Sequence, residues 1–223
     1  MGGTRPGGTG PRPLTDAGRA VGAAALPRLM LVTDRRETQG RDLVEVVEAA
    51  VAGGVGLVQV RERDLPEPEI ADLLRRLLAR LEGTPARLLV NGHADLAHAL
   101  GVGLHLPAAA PRPSEPPLLY GRAVHDEAEA RRALAEGVSY VVVGPVFPTG
   151  SKPGHPGAGA DTLERLVRAV VPTPVYAIGG LTPERVVSVL AAGAHGVAVR
   201  SAILSARDPR CAARAFADAL SAV

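Results

Sequence analysis

The sequence predicts an α/β protein of one domain, a closed (β/α)8 TIM barrel, and three observations carry the prediction. Short β-like apolar runs alternate with helix-period segments eight times after residue 28. The runs are apolar on both faces, as strands between a filled interior and a ring of helices must be. No Gly-rich fingerprint follows the first run, which argues against the rival, an open doubly wound sheet. Parallel neighbours need long crossovers, and the helix-period segments supply them.

Each element has its own signal. The first strand spans 28–33, and apolar positions 43, 46, 47 and 51 then recur at helix spacing until Gly53-Gly54. The second strand spans 55–62, and its helix opens near Pro66–Pro68 and runs to Glu82. The third, 87–91, precedes a short helix over ADLAHAL. The fourth, 103–106, runs into AAAPRPSEPP, where the prolines forbid a full helix. The fifth, 118–125, precedes a helix over DEAEARRALAEG. The sixth, 139–146, leads through a long Gly/Pro loop to a helix from about 161 to 170. The seventh, 174–180, precedes a helix capped by Thr182, with Pro183 at its first position and Gly193 at its end. The eighth, 196–203, precedes a last helix from Asp208.

The barrel is expected over 28–223, behind a disordered or weakly ordered tail over 1–27 whose first 13 residues are rich in Gly and Pro. The apolar stretch after Arg19 is too weak for a signal peptide, so the expected location is the cytoplasm. Composition excludes several classes. No apolar run has the length of a membrane span. Aromatics are 2% of the chain, too few for a stacking platform, and no basic cluster marks a nucleic-acid face. One Cys rules out an internal disulfide framework and a multi-Cys zinc site. Cys211 sits in the last helix and reads as structural or inert. No metal-ligand spacing is found.

In such barrels the chemistry sits at the C-terminal strand ends. On strand two, Gln59, Arg61 and Arg63 share one face by the period of two, while Val60 and Glu62 face the other way. Polar groups on a buried strand need partners. Two guanidinium forks suit a phosphate or carboxylate. The plainer reading is an internal Arg–Glu network at the barrel mouth. Asn91 ends strand three. After strand six, Thr149, Ser151 and Lys152 make an anion cradle among glycines and prolines. Lys152 is the sole lysine among 25 basic residues. Gly179-Gly180 and Arg200-Ser201 stand where barrel phosphate sites form, with a simple tight turn as the plainer reading of the glycines. His125, at a strand end, is the candidate acid or base. His105 points either into the mouth or into the core. His98 and His195 read as packing or surface residues.

LVTD, VQVRER, VN, GPVFPTGSKPG, AIGGLTPE and GVAVRSAI, in that order over about 28–220, resemble the thiamine phosphate synthase and thiazole tautomerase (TenI-like) superfamily. The resemblance implies a diphosphate grip by Gln59, Arg61 and Arg63, with Arg63 where the family has Lys. It implies a loop of Thr149, Ser151 and Lys152, and a thiazole-phosphate site at Gly179, Gly180 and Ser201. The synthase joins an aminopyrimidine diphosphate to a thiazole phosphate with Mg²⁺ helping pyrophosphate leave. Its carboxylates after strands three and four are here Gly92 and Ala108–Ala110, and its strand-five Ser is Ala123. The first expectation is therefore a TenI-like tautomerase with His125 and Lys152 as catalytic residues, no evident cofactor and no metal ligands. Yet the tautomerase His after strand six is here Pro145. The alternatives are a synthase, the only case that calls for Mg²⁺, and a non-catalytic thiamine-phosphate sensor. An aldolase using Lys152 as a Schiff-base amine is a further rival. Expected partners are thiazole phosphate or thiamine phosphate and a second copy in a homodimer, with neither nucleic acid nor membrane.

Overall fold

The computed structural model describes residues 26–150, 154 and 156–222. Eight parallel strands close in sequence order. They are β1 (Leu29–Val32), β2 (Leu57–Val60), β3 (Arg87–Asn91), β4 (Gly103–Leu106), β5 (Tyr120–Val124), β6 (Tyr140–Val143), β7 (Val175–Ile178) and β8 (Gly196–Val199). Leu31 pairs with Val58 on one side and Val199 on the other, so β1 joins β2 to β8 and no sheet edge is left. Around the strands stand α1 (Leu43–Ala52), α2 (Glu67–Arg80), α3 (Ala94–Leu100), α4 (Glu127–Glu136), α5 (Gly159–Val170), α6 (Val186–Ala191), α7 (Ser201–Leu204) and α8 (Pro209–Ser221). No described helix is long and apolar enough to cross a membrane.

Alternation along the strands builds two cores. Met30, Leu57, Leu89, Tyr140, Tyr176 and Ala198 point inward and form one buried cluster. Leu31, Val58, Val90, Leu104 and Val141 point outward and pack under the helices. Tyr140 and Tyr176 meet edge to face at 5.4 Å in the interior. Gly121 lies level with Tyr140 on the neighbouring strand, and a Cβ there would enter the Tyr140 ring. Glycine in that strand is the vacancy the ring fills.

Three helices start on an aspartate whose carboxylate takes an orphan N–H. Asp42 accepts from Val44 at 2.7 Å, Asp126 from Glu129 at 2.8 Å and Asp208 from Cys211 at 2.9 Å. The barrel's lower end is closed by the two residues before Arg28. Leu26 is buried and its carbonyl accepts from His195 Nε2 at 2.9 Å, and the Pro27 carbonyl accepts from the Tyr176 hydroxyl. His195 is thus a packing residue, as its sequence position implied.

The structure ends most strands inside the expected bounds: β2 closes at Val60, so Arg61 and Arg63 lie just past it, and two elements change further. Strand eight stops at Val199, because Arg200 leaves the extended region (φ −124°, ψ −92°), and 201–203 turn into α7. Ile203 and Leu204 stay buried in that turn, so the apolar pattern continued across a change of structure. The helix expected from Thr182 is a 3-10 turn over Pro183–Arg185 followed by α6, and the Thr182 side chain makes no cap hydrogen bond.

Candidate active site

A cavity of about 860 Å³ opens at the C-terminal strand ends, and every strand contributes to its wall. One wall carries Gln59, Arg61 and Arg63 from the end of β2, with Asn91 from β3 beside them. Gln59 is buried, Arg61 half-buried and Arg63 exposed. The Arg–Glu network also exists, but it recruits a different arginine. Glu62 accepts from Thr33 Oγ1 at 2.6 Å and from the Arg35 backbone N–H at 2.9 Å, with the Arg35 guanidinium 3.5 Å away. Thr33 Oγ1 in turn accepts from Arg61 N at 3.0 Å. Glu62 and Thr33 thus fix the backbone from which Arg61 projects.

The facing wall is built from β6, β7 and β8. Gly179 and Gly180 line it with φ of 101° and 61°, a conformation that glycine adopts without strain. A Cβ on Gly179 would meet Pro145, and one on Gly180 would meet Phe147 and Pro148. Backbone bonds close the contact, Val146 N to Ile178 O at 2.8 Å and Phe147 N to Gly179 O at 3.1 Å. The glycines form the tight turn of the plainer reading, and the same turn lines the cavity wall. Thr149 and Ser201 line the same side. Ser151 and Lys152 lie outside the described residues, as does His155.

Two residues beside this wall, Arg185 behind it and Glu37 next to it, carried no sequence signal. Arg185 donates to the Gly180 carbonyl at 2.5 Å and lies over the Phe147 ring at 4.8 Å, tying the β7 loop to the β6 loop. Glu37, from the loop after β1, lines the cavity and accepts from Arg200 at 2.7 Å. Its second oxygen is buried without a hydrogen bond. Glu37 is the only acid among the described lining residues, against Arg61, Arg63 and Arg200, so the cavity favours an anion.

The histidines separate. His105 does both things the sequence allowed: it is buried, and it also lines the cavity. It stacks on Tyr140, with Nδ1 3.1 Å from the phenol oxygen. Burial, and then the charge of Arg122, push its pKa down to about 3, so it is neutral near pH 7. His125 lines the cavity but half-exposed, with Nδ1 3.0 Å from Glu129 Oε2 on α4.

Arg122 is the largest side chain buried to this degree among the described residues, at 1% exposure. It points out of the barrel from β5, behind the loop that follows β4. Its guanidinium donates to the carbonyls of Pro107, Ala108 and Ala110 at 3.1, 3.2 and 2.7 Å. It also meets Glu136 at 2.8 Å and the Tyr120 hydroxyl at 2.9 Å.

The Mg²⁺ that the resemblance implies would have to be held by these groups. A hard divalent cation takes oxygen ligands, usually including one or two carboxylates. At the ends of β3 and β4 the cavity wall offers Asn91, Pro107 and Ala108. The nearest carbonyls are turned toward Arg122. No group of three His, Cys, Asp or Glu able to hold a metal occurs among the described residues. The residues present do not fit the ion.

Fold and cavity together define a barrel enzyme whose site, at the C-terminal strand ends, sets arginines against glycine turns. Residues 29–203 match the family model described as thiamine monophosphate synthase, and the chain belongs to that family. A thiamine-phosphate synthase from Methanoculleus marisnigri is 40% identical over 87% of this chain and 95% of its own. One from Mycolicibacterium gilvum is 38% identical over 86% of this chain and 87% of its own. The solved thiamine phosphate pyrophosphorylase from Pyrococcus furiosus superposes with a TM-score of 0.75 at 29% identity, over 87% of this chain and 96% of that one.

Proposed function

We propose that this chain is a thiamine-phosphate synthase, a transferase joining an aminopyrimidine diphosphate to a thiazole phosphate. This places the synthase ahead of the tautomerase that the missing carboxylates first suggested. The observation that carries the reading is that one cavity has two separate walls suited to anions, arginines on one and a positive-φ glycine turn with Ser201 on the other. An isomerase acting on one phosphorylated thiazole needs only one of them. The names of the relatives point the same way. The acid–base equipment of an isomerase is weak by comparison. His105 is neutral, His125 is tied to Glu129, and position 145 is proline.

In this reading the thiazole phosphate rests against Gly179-Gly180 and Ser201, with Thr149, Ser151 and Lys152 completing the cradle from the loop after β6. The diphosphate lies against Gln59, Arg61 and Arg63, with Asn91 at the pyrimidine. The thiazole nitrogen lone pair forms a bond to the methylene carbon, and the carbon–oxygen bond breaks with its electron pair leaving on pyrophosphate. No proton transfer is required at the bond-making step, so holding two reactants in line and stabilising the departing charge are the protein's work. The setting is a cytoplasmic enzyme acting on small molecules, as a homodimer.

The test is to give the purified protein both substrates and measure thiamine phosphate and pyrophosphate. Equal amounts of the two products are expected. Isomerisation of a thiazole carboxylate phosphate with no joining would return the tautomerase. Binding of thiazole phosphate without either turnover would return the sensor.

A further inference from the structure

We propose that the transfer step in this enzyme runs without a protein-held divalent cation, Arg122 having taken over the ordering of the loop after β4 and Arg61 with Arg63 the charge of the leaving pyrophosphate. The inference rests on the synthase reading and adds the question of what replaces the metal.

The loop after β4 is the first observation. A metal held there would organise the loop from the cavity side through carboxylates. In this chain the loop is organised from behind. One guanidinium gathers three carbonyl oxygens from Pro107, Ala108 and Ala110, and Glu136 and Tyr120 complete its shell. Arg122 does not line the cavity, so those oxygens are aimed away from any ion inside it. A carbonyl already accepting from a guanidinium is a poor ligand for a cation that demands a near-octahedral oxygen shell.

The carboxylates around the mouth are the second. Four of them are already held by an arginine. Asp34 pairs with Arg36 at 2.8 Å, Asp64 with Arg35 at 2.7 Å, and Glu62 with Thr33 and Arg35. Glu37 pairs with Arg200 on the β1–β8 side, across the barrel from β4. Asp126 is engaged as the cap of α4. The field on the β4 side also opposes a cation, because Arg122 contributes to holding His105 unprotonated.

The third is the charge available in place of the ion. Arg61 and Arg63 line the cavity just past the end of β2, and Glu62 between them is turned away to Thr33. Guanidinium forks bind phosphate oxygens bidentately and stay charged at every working pH. The step balances without further reactants: the nitrogen–carbon bond forms, the carbon–oxygen bond breaks, and the electron pair departs with pyrophosphate.

The experiment uses the full chain in two buffers, one with excess EDTA and one with millimolar MgCl2. Inorganic pyrophosphate is titrated by calorimetry, and thiamine phosphate formation is followed in parallel. Pyrophosphate affinity and turnover are both expected to agree within about threefold between buffers. Arg61→Met is expected to weaken pyrophosphate binding tenfold or more in both. Pyrophosphate binding tightened tenfold or more by Mg²⁺, or turnover abolished by EDTA and restored by Mg²⁺, would overturn the inference and leave the synthase reading standing. Metal-indifferent pyrophosphate binding with no turnover in either buffer would overturn the synthase reading itself, and the inference with it.

Discussion

The two walls of the cavity are made in different ways. The β6–β8 wall is mostly backbone: glycines at positive φ press against the loop after β6, and Arg185 ties the two loops together. The β2–β5 side is made of charge, with Arg61 and Arg63 inside and Arg122 behind. A wall of backbone depends on fit, so it tolerates little side-chain volume but loses little when a distant charge changes. A wall of charge depends on pairing, so the loss of one partner strands the others. Replacements on the two sides should therefore fail differently, one through binding and the other through stability as well.

The sharpest break of that contrast is Arg122→Met. It removes a buried cation, leaves Glu136 to the Tyr120 hydroxyl, and takes the guanidinium donor from three carbonyls. Losing one member of a buried pair costs about 3–5 kcal/mol. Denaturant midpoints should fall accordingly, and Arg122→Lys should recover only part, since one ammonium cannot span the same acceptors. A loss below about 1 kcal/mol would mean that the loop after β4 is held by something else. Next comes Arg61→Ala, on the same side but inside the cavity. Here kcat/KM should drop by about 10²–10³, the usual cost of a transition-state donor, with the melting temperature nearly unchanged. A larger loss of stability than of activity would erase the distinction between the inner and outer arginines.

How far this arrangement was legible in the sequence depended on the range of each signal. The grouping of Gln59, Arg61 and Arg63 is local, since the three are close in sequence at one strand end, and the structure puts all three in the cavity even though β2 itself stops at Val60. Gly179-Gly180 was legible through the position of strand seven in the fold. Arg122 was not. Its partners are backbone carbonyls of an alanine run, which have no side-chain signature, and its strand reads as an apolar segment with one odd residue. Glu37 was also hidden, because its partner Arg200 lies at the far end of the chain and closure of β1 on β8 brings them together. The missing carboxylates after strands three and four were plain, but what stood in their place was a contact between elements. A sequence shows which groups are gone more readily than which long-range pairing has taken over.

The floor between the two walls gives a third, smaller effect. The pKa of His105 falls from 6.5 to about 3 on folding, so below pH 6.5 the unfolded chain binds a proton that the folded chain refuses. Stability from this site is therefore fully present above pH 6.5 and is lost as pH falls toward 3. The slope is at most about 1.4 kcal/mol per pH unit. Denaturation at pH 7.5 and 5.0 should show wild type losing about 2 kcal/mol more than His105→Gln over that interval. Comparing the two intervals, not the two proteins at one pH, cancels the cost of the lost Tyr140 contact. Parallel pH dependences would mean that His105 takes up a proton in the folded protein, contrary to its burial.

The smallest expected effect tests the backbone wall. Arg185 lies outside the cavity lining, on the surface, and acts there through Gly180 and Phe147. An exposed cation–π contact contributes about 0.5–1 kcal/mol, and a single hydrogen bond about the same. Arg185→Ala should raise KM for the thiazole phosphate about fivefold and leave KM for the pyrimidine diphosphate and kcat within twofold or so. Arg185→Lys should restore most of it, because an ammonium still reaches the carbonyl and the ring. If both KM values moved together, the loops around β6 and β7 would be serving the whole cavity, and the division of the site into a backbone wall and a charged wall would fail.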